Sequence, residues 1–174
     1  MLYGAPTARR SDARRNRAAI VEAASAVLTG TGQIALMPEV ARRAGIGQAT
    51  LYRHFPDRYA LAAAVIDHHL RELERCAATT PFRVLLHEVL RRQIMMRPLV
   101  VLAQRLDPVT LRRYQDQLTA ALAGPMRRDQ ARGLVRDDLV PHDVMLLVTM
   151  LQGVGDEAAD RSVDLMLDGL FRTR

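Results

Sequence analysis

Residues 36–55 read LMPEVARRAGIGQATLYRHF, and the rest of the chain is best read outward from them. Two short helices are expected, at about 38–44 and about 48–55. Pro38 suits a first helical position because it has no N–H to leave unpaired, and Glu39 suits the positive end of the helix dipole. Gly45 ends the first helix where a residue must tolerate positive φ. Pro56 ends the second, because it disfavours the α conformation in the residue before it. Two helices that cross closely need a small residue at the crossing, which is Ala41. They need a turn residue four positions on, Gly45, and an apolar pin six further, Leu51. Val40, Ala44 and Ile46 complete the inner positions. A plain helical hairpin explains the apolar spacing, but not this combination beside a polar outer edge. The arrangement has the logic of a helix-turn-helix.

On a helical wheel Leu51 and Phe55 face the core, while Ala49 and Arg53 point nearly the opposite way. Thr50 and His54 lie on one flank, Tyr52 on the other, and Gln48 sits at the open N-terminal end. A recognition helix in a major groove puts its N-terminal residues on base edges and its flanks on phosphates. Gln48 then pairs with adenine, Arg53 reaches guanine and Ala49 meets a thymine methyl group. Thr50, Tyr52 and His54 have the reach for phosphate oxygens, which position without specifying. The expected partner is a double-stranded DNA operator.

The charge distribution agrees. All 25 basic residues are Arg, and the net charge is +6. Residues 1–60 carry nine Arg against four acids, whereas the remainder is nearly balanced. Only one end of the chain is therefore built to meet a polyanion. Residues 1–12 read as a flexible basic arm, with Ser11 or Asp12 capping the helix that follows. An arm with Arg9 and Arg10 either enters a groove or is a plain basic tail. Arg14 and Arg17 are better placed, since a helix holds them near the DNA backbone.

GIGQATLYRHFPDRYAL resembles the signature of the TetR family: a turn, a Thr-Leu-Tyr-x-His-Phe recognition helix, and a basic residue opening the next helix. The resemblance is convincing over about residues 14–66. It implies that Gln48 and Ala49 meet bases and that Thr50, Tyr52, His54 and Arg58 hold phosphates. It also implies nine or so helices, a ligand pocket in the C-terminal part, and a dimer interface from the last two helices. One departure stands out. Leu36 occupies the place of the family's usual Thr, and Leu36, Met37 and Pro38 offer no such hydroxyl, which puts the start of the second helix and one family phosphate contact in question. Arg42 and Arg43 either compensate or simply solvate their helix.

The expected fold is all-α: a helix-turn-helix DNA-binding domain at 13–56 and a helical regulatory and dimerisation domain at 57–174. Prolines 81, 98, 108, 125 and 141 punctuate the latter into helices at about 81–96, 98–105, 108–123, 125–132, 142–155 and 160–172. Asp57 caps a long helix to about Cys76 that joins reader to body. The stretch VMLLVTMLQGV at 144–154 is apolar nearly all round, so it must be buried on more than one side. Together with the amphipathic last helix it suits a four-helix homodimer interface. Val144, Leu147, Val148, Leu151, Val163, Met166, Leu167 and Leu170 are its candidate residues. Met95, Met96, Leu99, Leu102 and Met145 either line an adaptable cavity for a small apolar ligand or fill ordinary core. Arg92, Gln93, Arg97 and Gln104 are polar residues beside them.

Catalysis has little support. No Ser-His-Asp order, phosphate loop or inward carboxylate pair stands out. His68 and His69 leave a helix about 100° apart, which argues against a chelating pair. Cys76 is the single cysteine, so no disulfide or thiolate metal site is expected. No cofactor or metal is expected. The opening residues lack the apolar core of a secretory signal and no apolar run is long enough for a membrane span, so the cytoplasm is the expected compartment. The expected function is a sequence-specific transcriptional regulator, a ligand-responsive dimeric repressor. The alternatives are a DNA binder without a ligand, or a small helical enzyme or interaction module.

Overall fold

A computed structural model of the chain describes residues 6–30 and 37–172. They form nine helices: α1 (Pro6–Gly30), α2 (Met37–Arg43), α3 (Gln48–His54), α4 (Arg58–Ala77), α5 (Phe82–Met95), α6 (Arg97–Ala103), α7 (Pro108–Ala131), α8 (Asp143–Leu151) and α9 (Asp156–Leu170). No strand occurs among the described residues, where one isolated antiparallel bridge pairs Val135 with Phe171. The all-α expectation holds.

Two cores organise these helices. The first gathers Ile20, Ala24 and Leu28 of α1 with Val40, Leu51 and Phe55, then extends to Leu61 and Val65 of α4. Met96, Leu99 and Leu102, at and within α6, belong to this same core. The second joins Phe82, Leu86 and Leu90 of α5 to Leu122 and Met126 of α7, and to Val144, Val148, Val163 and Leu167 of α8 and α9. Helix α4 runs from one to the other. Asp57 starts it by accepting from the N–H groups of Tyr59 and Ala60, both at 2.8 Å. At its far end the Arg128 guanidinium donates to the Ala77 carbonyl at 2.7 Å. The neighbouring Asp129, buried, accepts from the Phe82 N–H at the start of α5 at 2.9 Å. Two consecutive residues of α7 thus place a cation on one helix C-terminus and an anion on the next N-terminus, as the helix dipoles favour.

Several boundaries differ from expectation. Helix α1 begins at Pro6, so residues 6–12 are helical rather than a flexible arm. Pro6 fits a first helical position and the Ala- and Arg-rich turn after it has high helix propensity. The side chains of residues 6–12, including Arg9 and Arg10, lie outside the described set, as do residues 1–5 and Leu36. Helix α7 runs straight through Pro125, where two helices are expected. The proline removes one backbone bond, a cost of about 3 kcal/mol. Burial of Pro125 beside Leu122 and Met126, with the caps made by Arg128 and Asp129 one turn later, offsets it.

The interface candidates need correction. Val144, Val148, Leu151, Val163 and Leu167 are already buried within the single protomer, in the second core. Leu147, Met166 and Leu170 are half-buried against it. What α8 leaves in the open is Leu146 and Met150, one helical turn apart, and α9 leaves Leu165. A helix that is apolar all round has two faces to bury, and periodicity does not say which one the protomer takes for itself.

Candidate nucleic-acid interface and cavity

The reader is built by α2 and α3. Gly45 has φ +67°, and a Cβ there would meet nothing within 4 Å. Glycine is therefore required by the backbone conformation and not by crowding. The turn closes with Ile46 N–H donating to the Ala41 carbonyl at 3.0 Å and Gly45 N–H to that of Arg42 at 3.2 Å. Ala41 is buried at the crossing. Leu51 is 0% exposed and Phe55 nearly as buried, which fixes the back of α3. Its other edge is open. Gln48, Ala49 and Arg53 are exposed, Tyr52 is 46% exposed, and Thr50 and His54 are half-buried on the flank. Arg53 donates to the Thr50 hydroxyl at 2.8 Å along this edge.

Basic residues surround that edge. The Arg17 guanidinium lies 4.4 Å from the Phe55 ring, so α1 is pinned to the end of α3 by a cation–π contact. Arg14 is exposed one turn earlier. Arg58 is exposed at the first position of α4, 5.9 Å from the Tyr59 ring. Arg42 forks onto Glu39, with contacts of 2.8 and 2.6 Å. The Glu39 carboxyl sits below its usual range, chiefly through that hydrogen bond. The pair lies in water and holds Arg42 only weakly against a competing phosphate.

A cavity of about 360 Å³ opens between α4, α5, α6 and α7. Of the residues expected to line it, Met96 and Leu99 do. Met95 is exposed, Leu102 is sealed in the first core, and Met145 packs against the second. The five are grouped by residue type, but α5 ends between Met95 and Met96, which leaves Met95 exposed and Met96 buried. Arg92 and Gln93 also line the cavity; Arg97 instead donates to the Val154 carbonyl and Gln104 meets Gln152. Met96 and Leu99 belong at once to the cavity wall and to the reader's core.

A hydrogen-bond chain runs along the same wall. Arg92 Nη1 donates to His69 Nδ1 at 2.8 Å, and His69 Nε2 meets the Ser25 hydroxyl of α1 at 2.9 Å. A guanidinium only donates, so Nδ1 accepts and the ring proton sits on Nε2, facing Ser25. Burial holds the His69 pKa below its ordinary value of 6.5, and the charge of Arg92 adds to this. His68, His69 and Glu72 bring their donor atoms within 4.8 Å of one another, closer than the helical spacing of the two histidines implies, with Glu72 3.5 Å from each ring. Arg92 already uses the Nδ1 lone pair and repels a cation at that point. Sequence reasoning missed Ser25 and His69 as partners, since 44 residues separate them.

The lowered His69 pKa has a sign. The unfolded chain takes up this proton more readily than the folded one. The stabilising contribution is complete above about 6.5 and is lost as pH falls through that value towards the folded pKa. Melting temperature followed from neutral pH downwards should therefore fall less steeply in His69→Gln than in the unaltered protein. Parallel curves would refute the assignment.

A buried-back, open-edged α3 on an all-helical body defines a helix-turn-helix DNA reader. The sequence model for bacterial regulatory proteins of the tetR family matches residues 20–65. A TetR transcription regulatory protein from Mycobacterium vanbaalenii is 30% identical over 94% of this chain and 99% of its own, with a TM-score of 0.70. A TetR transcriptional regulator from Streptomyces coelicolor is also 30% identical, over 91% of this chain and 99% of its own, with a TM-score of 0.61. The reduced form of NemR from E. coli shares the fold at 11% identity and a TM-score of 0.58, over 91% of this chain and 98% of that one. Comparison with curated proteins gives no match. The chain belongs to the TetR family of DNA-binding transcriptional regulators. No described helix is long and apolar enough to cross a membrane.

Proposed function

We propose that the protein is a homodimeric repressor that reads a palindromic operator and releases it when a small molecule fills the cavity. Residues 13–56 are the reader, and 57–174 form the regulatory and dimerising body. The observation that carries this reading is the free polar edge of α3, backed by Leu51 and Phe55 and flanked by Arg14, Arg17 and Arg58. Gln48, Ala49 and Arg53 meet bases. Thr50, Tyr52, His54, Arg58 and Arg42 hold phosphates, with Arg14 and Arg17 alongside.

Two protomers pair through Leu146, Met150 and Leu165, and a symmetric dimer then presents two α3 helices to half-sites about 34–36 Å apart. The ligand response is supported by Met96 and Leu99, through which any shift of the cavity wall presses on the core behind α3. The Arg92–His69–Ser25 chain ties the same wall to α1. A ligand weakens DNA binding only if it favours a head spacing that the operator does not fit.

The test is selection of bound duplexes from a random pool, followed by affinity measurements on two variants. Gln48→Ala is expected to cost about 1–3 kcal/mol at one base position and to relax preference there. Tyr52→Phe is expected to weaken all duplexes equally. Identical effects of both changes on selected and random DNA would overturn these roles.

A further inference from the structure

The cavity walls are of one kind. Ile66, Leu70, Leu73, Leu85, Val89 and Leu118 are aliphatic, and among the described residues no Phe, Tyr or Trp side chain lines it. It therefore offers no aromatic cage for a cation, and the imidazole on its wall, His69, is engaged by Arg92 and Ser25. Its volume lies at the small end of ligand pockets, which run from about 300 to 1,000 Å³.

The rim is charged but balanced. Arg75 and Arg92 face Glu72 and Glu88. Arg92 Nε donates to Glu88 at 2.6 Å, its Nη1 lies 3.6 Å from Glu72, and Arg75 lies 3.6 Å from the same carboxylate. His69 accepts from Arg92 and carries no charge in that arrangement. An anion approaching Arg92 meets two carboxylates already in place. A cation approaching those carboxylates meets two guanidinium groups. Bringing either into an aliphatic cavity strips its water without a free counter-charge to replace it. An uncharged acceptor needs only N–H groups. Among the described residues, the Nη2 hydrogens of Arg92 and the side-chain amide of Gln93 make no hydrogen bond.

We propose that this cavity takes an uncharged, mainly aliphatic molecule bearing one hydrogen-bond acceptor, such as an ester or ketone, which Arg92 and Gln93 receive. The assignment names the ligand class for the ligand-responsive reading and rests on it. The experiment titrates the full chain calorimetrically with methyl octanoate, octanoate and octylammonium, three probes that share one aliphatic chain length class and differ in head charge. The ester is expected to bind about tenfold more tightly than either ion, because neither charged head finds a free counter-charge to offset the water it loses. Equal or tighter binding of either ion, or no binding of all three, overturns the proposal.

Two variants probe the charge balance itself. Glu88→Gln, at a position 53% exposed, frees Arg92 and should move preference to octanoate. Arg92→Met leaves Glu88 unopposed and Glu72 with Arg75 alone, and should move it to octylammonium. An unchanged ranking in both variants, with melting curves showing them folded, also overturns the proposal. Binding of the ester without any change in operator affinity supports the cavity's chemistry and removes the ligand-responsive repressor reading instead.

Discussion

Replacing Leu146 and Met150 together by Asp is expected to leave a folded monomer whose operator affinity has fallen about 100- to 10,000-fold. The size follows from the loss of the second half-site, which otherwise binds at the effective concentration set by the dimer. The fold survives because these side chains are 58% and 61% exposed and take no part in either core. Val148→Asp, one turn along the opposite face, is the control. That residue is 6% exposed and packs in the second core, so a carboxylate there meets aliphatic neighbours and no counter-charge. It should unfold the body and not merely separate the subunits. Sedimentation and thermal melting distinguish the two outcomes. A well-folded dimer of the double variant would remove the outer face of α8 from the interface.

Leu51→Ala carries the second large effect. Leu51 is fully buried among α1, α2 and α4, and deletion of such a leucine costs about 2–5 kcal/mol, depending on how far the site collapses. Against a typical total of about 5–15 kcal/mol, that is enough to release α3 from its backing. DNA binding should be lost for selected and random duplexes alike, unlike the single-position effect of Gln48→Ala. Hydrogen exchange should quicken through residues 37–55 first, while α5, α8 and α9, held in the other core, remain protected longer. Retention of DNA affinity with a loss of less than about 1 kcal/mol would mean that Leu51 is not the anchor.

These effects divide along a line visible in the residues. The reader was legible because its logic is local. Ala41, Gly45 and Leu51 act within eleven residues, and the positive φ at Gly45 and the buried back of α3 follow from their spacing. Asp57 was legible as a cap for the same reason. Helix α8 was legible only as a two-faced helix. Its periodicity separates Val144, Val148 and Leu151 from Leu146 and Met150, but it does not say which set the protomer buries.

The amino-acid order by itself determined the helical class, the helix-turn-helix, the exposed face of α3 and the basic N-terminal third, since each depends on neighbours within a turn or two. Tertiary structure alone decided that α7 runs through Pro125, that Leu102 joins the reader's core while Met96 and Leu99 also wall a cavity, and that Ser25 meets His69. Each of those outcomes is settled by packing between helices far apart in the chain. The free energy there belongs to the pair of surfaces and is written in neither helix alone.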